Sequence, residues 1–263
     1  MIKNVGIFVL ALMMTSCAVS TVNMSANGVL PRKGYVFIKK IVNLRKCVDN
    51  RPCENGQYTS VGSGFIVKIT HKGSFVVTAA HVCATNPRNL QPKVEIRDTL
   101  KVQTLDGRYY DAKVLEYNRD LDVCLMYSDG LVDNIEEVNL SGDAPKEGDK
   151  VYNIASPYGI HYNNVVPIFE GRYFGTLGFR AFYSFDAAPG SSGSMILNQD
   201  GELIGLLHSV YRQMHSVIVS VDYDSLISFI RRGIIKYSTS HAKELYDYNI
   251  YVNKVGSLKY PKY

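Results

Sequence analysis

From Tyr35 onward the apolar residues come in short runs, many with β-branched or aromatic members, separated by turn residues at intervals of about ten. Tyr35 to Val42, Gly64 to Thr70, Ser74 to Ala79, Val94 to Val102, Leu121 to Tyr127, Val151 to Ala155, Met195 to Asn198 and Leu203 to Leu207 are examples. That rhythm predicts antiparallel sheets closing into barrels. One segment differs: Asp224 to Ile235 sets Leu226, Ile227, Phe229, Ile230 and Ile234 along one side at helical spacing, with Asp222 or Asp224 as its cap. The expected fold class is all-β with a C-terminal helix. Between Ser128 and Lys150 the chain turns polar, rich in glycine and acidic residues, the natural join between two β units.

Composition narrows the class without changing the picture. With 263 residues, 46% hydrophobic and 20% charged, the chain is an ordinary globular sequence. No stretch approaches the roughly 20 apolar residues of a spanning helix. The net charge of +5 resides at one end: residues 231 to 263 hold seven basic groups against Glu244 and Asp247, and the remainder balances at 22 against 22. A nucleic-acid-binding domain would carry its basic groups on a folded face, so no nucleic-acid partner is expected. The tail also holds six of the 19 tyrosines and reads as an amphipathic wrap or edge strand, with a surface for a partner or anionic lipid as the sharper alternative.

At the other end, Lys3, an apolar run from Val5 to Met14 and the small residues before Cys17 have the order of an export signal. The segment looks like a bacterial lipoprotein processing site, although Met14 departs from the usual leucine. The expectation is a signal peptide over 1–16, a lipid-modified Cys17 anchoring the chain to a membrane of the cell envelope, and a tether over 17–34. A secreted or periplasmic protein is the alternative. Cys47, Cys53, Cys83 and Cys124 then remain, an even number in a compartment that permits disulfides. Cys47 and Cys53 flank a short turn-rich loop and are the preferred pair, with three connectivities open. No spacing suits zinc, and neither metal nor cofactor is expected.

Three segments carry candidate chemistry. Phe75 to Val82 is a strand that delivers His81 at its exit; Asp120 to Met126 places an acid at the mouth of a buried strand; Pro189-Gly190-Ser191-Ser192-Gly193-Ser194 sets a serine on a tight turn running into the next strand. Singly, each has a dull explanation as polar filler, cap or turn. Together they supply what an alcohol nucleophile needs: an imidazole to take its proton, and a carboxylate to fix the imidazole's tautomer and stabilise its charged form. Glycines 190 and 193 let the backbone bend so that the amides of Gly190 and Ser192 converge on one point, as a developing oxyanion requires.

On these motifs the chain resembles the trypsin-fold (chymotrypsin-like) serine peptidases, nearer to the bacterial HtrA-like and glutamyl-endopeptidase-like branches. The matching stretches are Gly62-Ser63-Gly64-Phe65, Thr78-Ala79-Ala80-His81, Asp122-Val123-Cys124-Leu125, Gly148-Asp149, Ser156-Pro157-Tyr158-Gly159, Asp186-Ala187-Ala188, the Ser192 loop and Gly201 to Gly205. The resemblance implies a domain over 35–235, with one six-stranded antiparallel barrel at about 35–130, a second at about 148–221 and the helix at 224–235, followed by the tail 236–263. It implies His81 as general base and then acid, Asp122 rather than Asp120 as its orienter, Ser192 as nucleophile, and the amides of Gly190 and Ser192 as oxyanion hole, acting on a protein or peptide substrate. Ser191 stands where enzymes activated by a freshly cut amino terminus carry Asp, so that activation is not expected. Ser194 replaces a second glycine, as in the glutamyl-endopeptidase-like enzymes. The chain ends soon after the domain, so no PDZ module is expected.

Two residues bear on specificity. Asp186, six before Ser192, has the spacing of a pocket-floor acid for Arg or Lys, although Asp-Ala-Ala also fits the HtrA-like pattern, in which the acid need not face substrate. His208 is one place out of register with the histidine that receives acidic side chains in glutamyl endopeptidases, and core or rim packing is its plainer role. An α/β-hydrolase is disfavoured, because Ser194 stands where its elbow needs glycine and because His81 and Asp122 precede the serine. The rival reading is a catalytically silent peptidase-fold binding module at the membrane surface. The oligomeric state is not legible.

Overall fold

The structure is a computed structural model and describes residues 30–47, 53–85, 94–211 and 214–238. The first barrel consists of β1 (Tyr35–Lys46), β2 (Glu54–Ile69), β3 (Gly73–Thr78), β4 (Val94–Thr104), β5 (Tyr109–Asn118) and β6 (Val123–Asp129). It closes in the order β1-β2-β3-β6-β5-β4. The second holds β7 (Lys150–Ile154), β8 (Ile168–Leu177), β9 (Arg180–Ser184), β10 (Met195–Leu197), β11 (Leu203–Tyr211) and β12 (Met214–Val221), and closes as β10-β11-β12-β9-β8-β7. A four-residue helix α1 (Ala80–Cys83) follows β3, and α2 (Tyr223–Ser238) ends the described chain. Two antiparallel six-stranded barrels with a terminal helix were the expectation, and the structure has them.

Closure removes sheet edges, so the strands that read most clearly in the sequence are the ones buried on both sides. β3 is buried at every position and β10 likewise. β8 is different: only Tyr173 is buried among its ten residues, and it carries Gly171 and Gly175, so its apolar signal is weak although it pairs regularly with β7 and, with a register shift between Tyr173 and Gly175, with β9.

Helix α2 packs on the first barrel. Gly233 allows the approach, since a Cβ there would sit 2.5 Å from Leu125 Cδ2 on β6. Asp222, not Asp224, caps it, its Oδ1 accepting the Ser225 amide at 3.0 Å. The helix runs to Ser238, three residues past its expected end, because the last turn is tied to β5: Tyr237 Oη donates to Leu115 O at 2.9 Å and Lys236 Nζ meets Glu116 at 2.9 Å. At the other end Leu30 is buried in the core, and a single 3-10 turn at Arg32–Gly34 leads into β1. Residues 30–34, expected in the tether, thus belong to the folded unit. Residues 1–29, with Cys17, and the tail beyond 238 lie outside the described residues.

The two barrels share one apolar core that runs from Phe65, Val77 and Leu125 to Met195, Leu206 and α2, while a second cluster around Tyr183, Ile196 and Ile218 fills the interior of the second barrel. The loop after β7 also returns to the first barrel. Its Asn164 amide donates to Leu105 O at 2.7 Å, and the His161 ring stacks on Phe37 at 5.5 Å. Burial pushes the His161 imidazole below its ordinary pKa.

Two outcomes follow. Leu125→Ala removes a fully buried side chain that faces Gly233 and should lower the unfolding free energy by about 3 kcal/mol in urea titration. Because the folded state holds His161 neutral while the unfolded chain protonates near pH 6.5, His161 withdraws stability as pH falls below that value. His161→Phe should therefore narrow the difference between unfolding midpoints measured at about pH 7.5 and pH 5.

Candidate active site

His81 sits in α1, directly after the wholly buried β3, and its side chain is 50% exposed. Asp122 lies in the turn between β5 and β6 with a positive φ of 52°, a left-handed conformation that Asp adopts more readily than most residues. The turn is prepared by Asn118, whose Oδ1 accepts the amides of Asp120 and Leu121 at 2.9 and 3.0 Å. Three contacts then join the turn to α1. The Ala80 amide donates to Asp122 O at 3.1 Å, the His81 amide to Asp122 Oδ1 at 2.9 Å, and His81 Nδ1 meets Asp122 Oδ2 at 2.7 Å. With Nδ1 held by the carboxylate, Nε2 is the nitrogen available to take a proton. Asp120 is exposed and makes no such contact, so of the two acids Asp122 is the one brought to the imidazole.

A covalent link reinforces this pair. Cys83 and Cys124 form a disulfide, joining the residue two after His81 to the residue two after Asp122. Cys47 and Cys53, the pair preferred from the sequence, form the other.

Ser192 is half-buried on the loop before β10. The loop holds itself through Ser191 N to Ala188 O at 2.9 Å and Ser194 N to Ser191 O at 3.1 Å, and is held from beneath by Asn153 Nδ2, which donates to Ser194 Oγ and Met195 O. Gly190 (φ 100°) and Gly193 (φ 86°) adopt conformations in which a side chain would be strained, and both are also closed by space. A Cβ at Gly190 would lie 2.5 Å from Ser156 O; one at Gly193 would collide with Thr78 Oγ1 and Ser63 O and lie 2.9 Å from Ala79 N, at the base of α1.

Ser63 of β2, whose contribution was not legible as that of a site residue, ties this loop to the first barrel. Its amide donates to Ser192 O at 2.8 Å and its hydroxyl to Gly190 O at 2.9 Å, and it also accepts the Ser156 amide at 3.1 Å. Gly62 beside it separates the two halves of the site: a Cβ there would lie 2.6 Å from Val82 Cγ1 and 3.1 Å from Ser192 O. The His81 helix and the Ser192 loop thus both close on one glycine.

Peptide geometry directs the loop's amides. Pro189 O accepts the Tyr158 amide at 2.6 Å, and in a trans peptide this turns the Gly190 N–H the opposite way. Ser191 O, engaged by Ser194 N, does the same for the Ser192 N–H. Neither amide finds an acceptor among the described residues. The Ser192 hydroxyl makes no hydrogen bond among the described residues.

Both specificity candidates lie among the described residues. Asp186 is exposed rather than recessed, which gives a basic-residue pocket no support. His208, at 15% exposed, has its Nδ1 3.9 Å from Asp122 Oδ2, so its ring faces the carboxylate. No group of three or more metal-binding side chains occurs among the described residues.

Two barrels, with an imidazole–carboxylate pair on one and a glycine-flanked serine on the other, define the two-barrel peptidase class. Comparison with known families agrees. The family model described as a trypsin-like peptidase domain matches residues 62–206, from the glycine between α1 and the serine loop to the middle of β11, and the chain belongs to that family. Among curated proteins, the chain is 30% identical over 180 residues to a "Probable periplasmic serine endoprotease DegP-like" of Marinomonas sp., covering 66% of this chain and 35% of that protein. It is 30% identical to the periplasmic serine endoprotease DegP of Salmonella typhimurium over 57% of this chain and 30% of that one. For DegP of Escherichia coli the identity is 28%, over 59% and 33%. The chain thus spans about a third of the length of these relatives.

The disulfide beside the site gives a measurable consequence. Replacing both Cys83 and Cys124 by Ala opens a loop of sequence separation 41 and should lower the unfolding free energy by roughly 3–4 kcal/mol, read from denaturant titration under oxidising conditions.

Proposed function

We propose that this chain is a serine endopeptidase that cleaves peptide bonds through an acyl-enzyme, with His81, Asp122 and Ser192 as its catalytic residues. The observation that carries the reading is the His81 Nδ1 to Asp122 Oδ2 contact at 2.7 Å, set across Gly62 from a serine loop with two unengaged amides. Family membership and the likeness to relatives named as serine endoproteases support it. Ser192 Oγ attacks the substrate carbonyl as His81 Nε2 takes its proton, and Asp122 stabilises the imidazolium that forms. The amides of Gly190 and Ser192 donate to the oxygen as its charge develops. His81 then protonates the leaving amine, and water, activated by the same imidazole, releases the acyl group.

Export belongs to the same proposal. Relatives named as periplasmic, two disulfides, and the signal-like run before Cys17 all favour an oxidising compartment. Attachment through a lipid on Cys17 would hold the domain at a membrane surface; no helix among the described residues is long and apolar enough to cross one.

A fluorophosphonate probe should label the protein, and Ser192→Ala or His81→Ala should abolish labelling; labelling that survives both changes overturns the assignment. A wild type that does not label favours the binding-module reading. Asp122→Asn should keep the fold and lower kcat by about 10⁴-fold, because an amide presents the wrong partner to Nδ1. Mass measurement of membrane-extracted protein checks Cys17, where an unmodified cysteine ends the anchor reading.

A further inference from the structure

We propose that His208 is a positioning residue for Asp122, a second imidazole on the carboxylate that holds His81, and that the site works only while His208 is uncharged. The inference rests on the peptidase reading above and adds a residue to it. Three observations carry it.

The first is backbone geometry. β11 and β12 pair Leu207 with Ser220 and then Ser209 with Val219, so the register slips by one and His208 is the bulged residue between them. A bulge re-aims the side chain it carries. That is why a residue one place out of register for a pocket wall faces the catalytic carboxylate.

The second is what surrounds the carboxylate. Asp122 Oδ1 accepts the His81 amide and Oδ2 meets His81 Nδ1 at 2.7 Å, while His208 Nδ1 lies 3.9 Å from that same Oδ2, beyond hydrogen-bond reach. Both rings therefore approach one oxygen. Asp122 is 22% exposed, and His208 at 15% is more covered than His81 at 50%, so the shared charge sits on the sheltered side of the pair.

The third is the charge around the ring. The groups that face His208 are Asp122 from the β5–β6 turn, His81 from α1, Arg180 from β9 and the Ser220 backbone of β12. Burial, His81 and Arg180 all disfavour a proton on His208 and only Asp122's charge and the Ser220 backbone favour one, so the ring is neutral around pH 7. Neutral His208 leaves the full carboxylate charge to the imidazolium that His81 becomes. Protonated, it would place a second cation on the same oxygen and oppose the proton that His81 must take from Ser192. Acid should therefore silence the site through two imidazoles.

The test is the second-order rate of fluorophosphonate labelling between about pH 4.5 and pH 8, with kcat and KM on a peptide substrate, for wild type, His208→Asn and His208→Gln. At its acid end the wild-type limb should fall more than tenfold per pH unit, whereas both variants should stay at tenfold. At neutral pH the variants should lose at least fivefold in kcat with KM unchanged. A wild-type limb of tenfold per unit overturns the proposal, as do variants that keep the steep limb or that alter KM alone, the mark of a substrate-pocket wall. If neither variant folds by circular dichroism, the wild-type slope is compared with that of His161→Phe, and a steep limb that His161→Phe abolishes overturns the proposal. Absence of labelling at every pH, in wild type and Ser192→Ala alike, would instead overturn the peptidase reading itself.

Discussion

The hydrogen bond from the Ser63 amide to the Ser192 carbonyl is the constraint on which the rest of the site depends. Each barrel satisfies its strands by closing on itself, so nothing in the sheets dictates how one barrel meets the other. The apolar core that runs between them supplies cohesion but little direction, because burial of apolar surface is indifferent to orientation. Ser63 supplies direction. It is wholly buried, and its amide and hydroxyl engage Ser192 O, Gly190 O and Ser156; losing those partners would leave buried polar groups unsatisfied at about 1–3 kcal/mol each. Gly62 and Gly193 make the approach possible, since a side chain at either would strike the opposite half of the site.

Much of this was legible in the chain. The strands buried on both faces announced themselves as apolar runs, and the helix by its spacing. The three chemistry-bearing segments stood out because a strand ending in small residues, an acid at a strand mouth and a glycine-bracketed serine each have local signatures. What stayed hidden depends on distant partners. Ser63 lies in a Gly-Ser-Gly stretch whose sequence is that of any turn, and only its pairing with a loop almost 130 residues away gives it a role. Cys83 and Cys124 were counted, but four cysteines permit three pairings and only the first of these bonds closes a short loop. His208 reads as one place out of register for a definable reason: periodicity along a strand assumes an unbroken register, and the strand bulges at that residue. The boundaries at 34 and 235 moved because Leu30 enters the shared core and Tyr237 bonds to β5, partnerships that no local pattern announces.

The electrostatics of the site concern orientation more than stability. His81 is half exposed, and a pair of that kind adds little to folding. Its value lies in fixing a tautomer. The Asp122 carboxylate receives a backbone amide on one oxygen and the imidazole on the other, so it cannot rotate away without losing both. The Cys83–Cys124 bond, placed two residues beyond each partner, then limits how far α1 and the β5–β6 turn can separate. Hydrogen bonds aim the pair, and the disulfide keeps the aim when the surface fluctuates.

The same logic bears on how such a site would be switched on. Peptidases of this fold that await cleavage use the charge of a new amino terminus to organise the loop before the nucleophile, and Ser191 offers no carboxylate to receive it. The loop here is organised by neutral groups instead: Tyr158 N turns the Pro189 peptide, Ser63 Oγ holds Gly190 O, and Ser191 bonds within the loop. None of these partners titrates near neutral pH or requires a cut chain. On the proposed reading, competence is therefore built into the folded barrels. What remains adjustable is the charge around Asp122, where two imidazoles meet one carboxylate, so control by the surroundings would act on the proton acceptor rather than on the oxyanion loop.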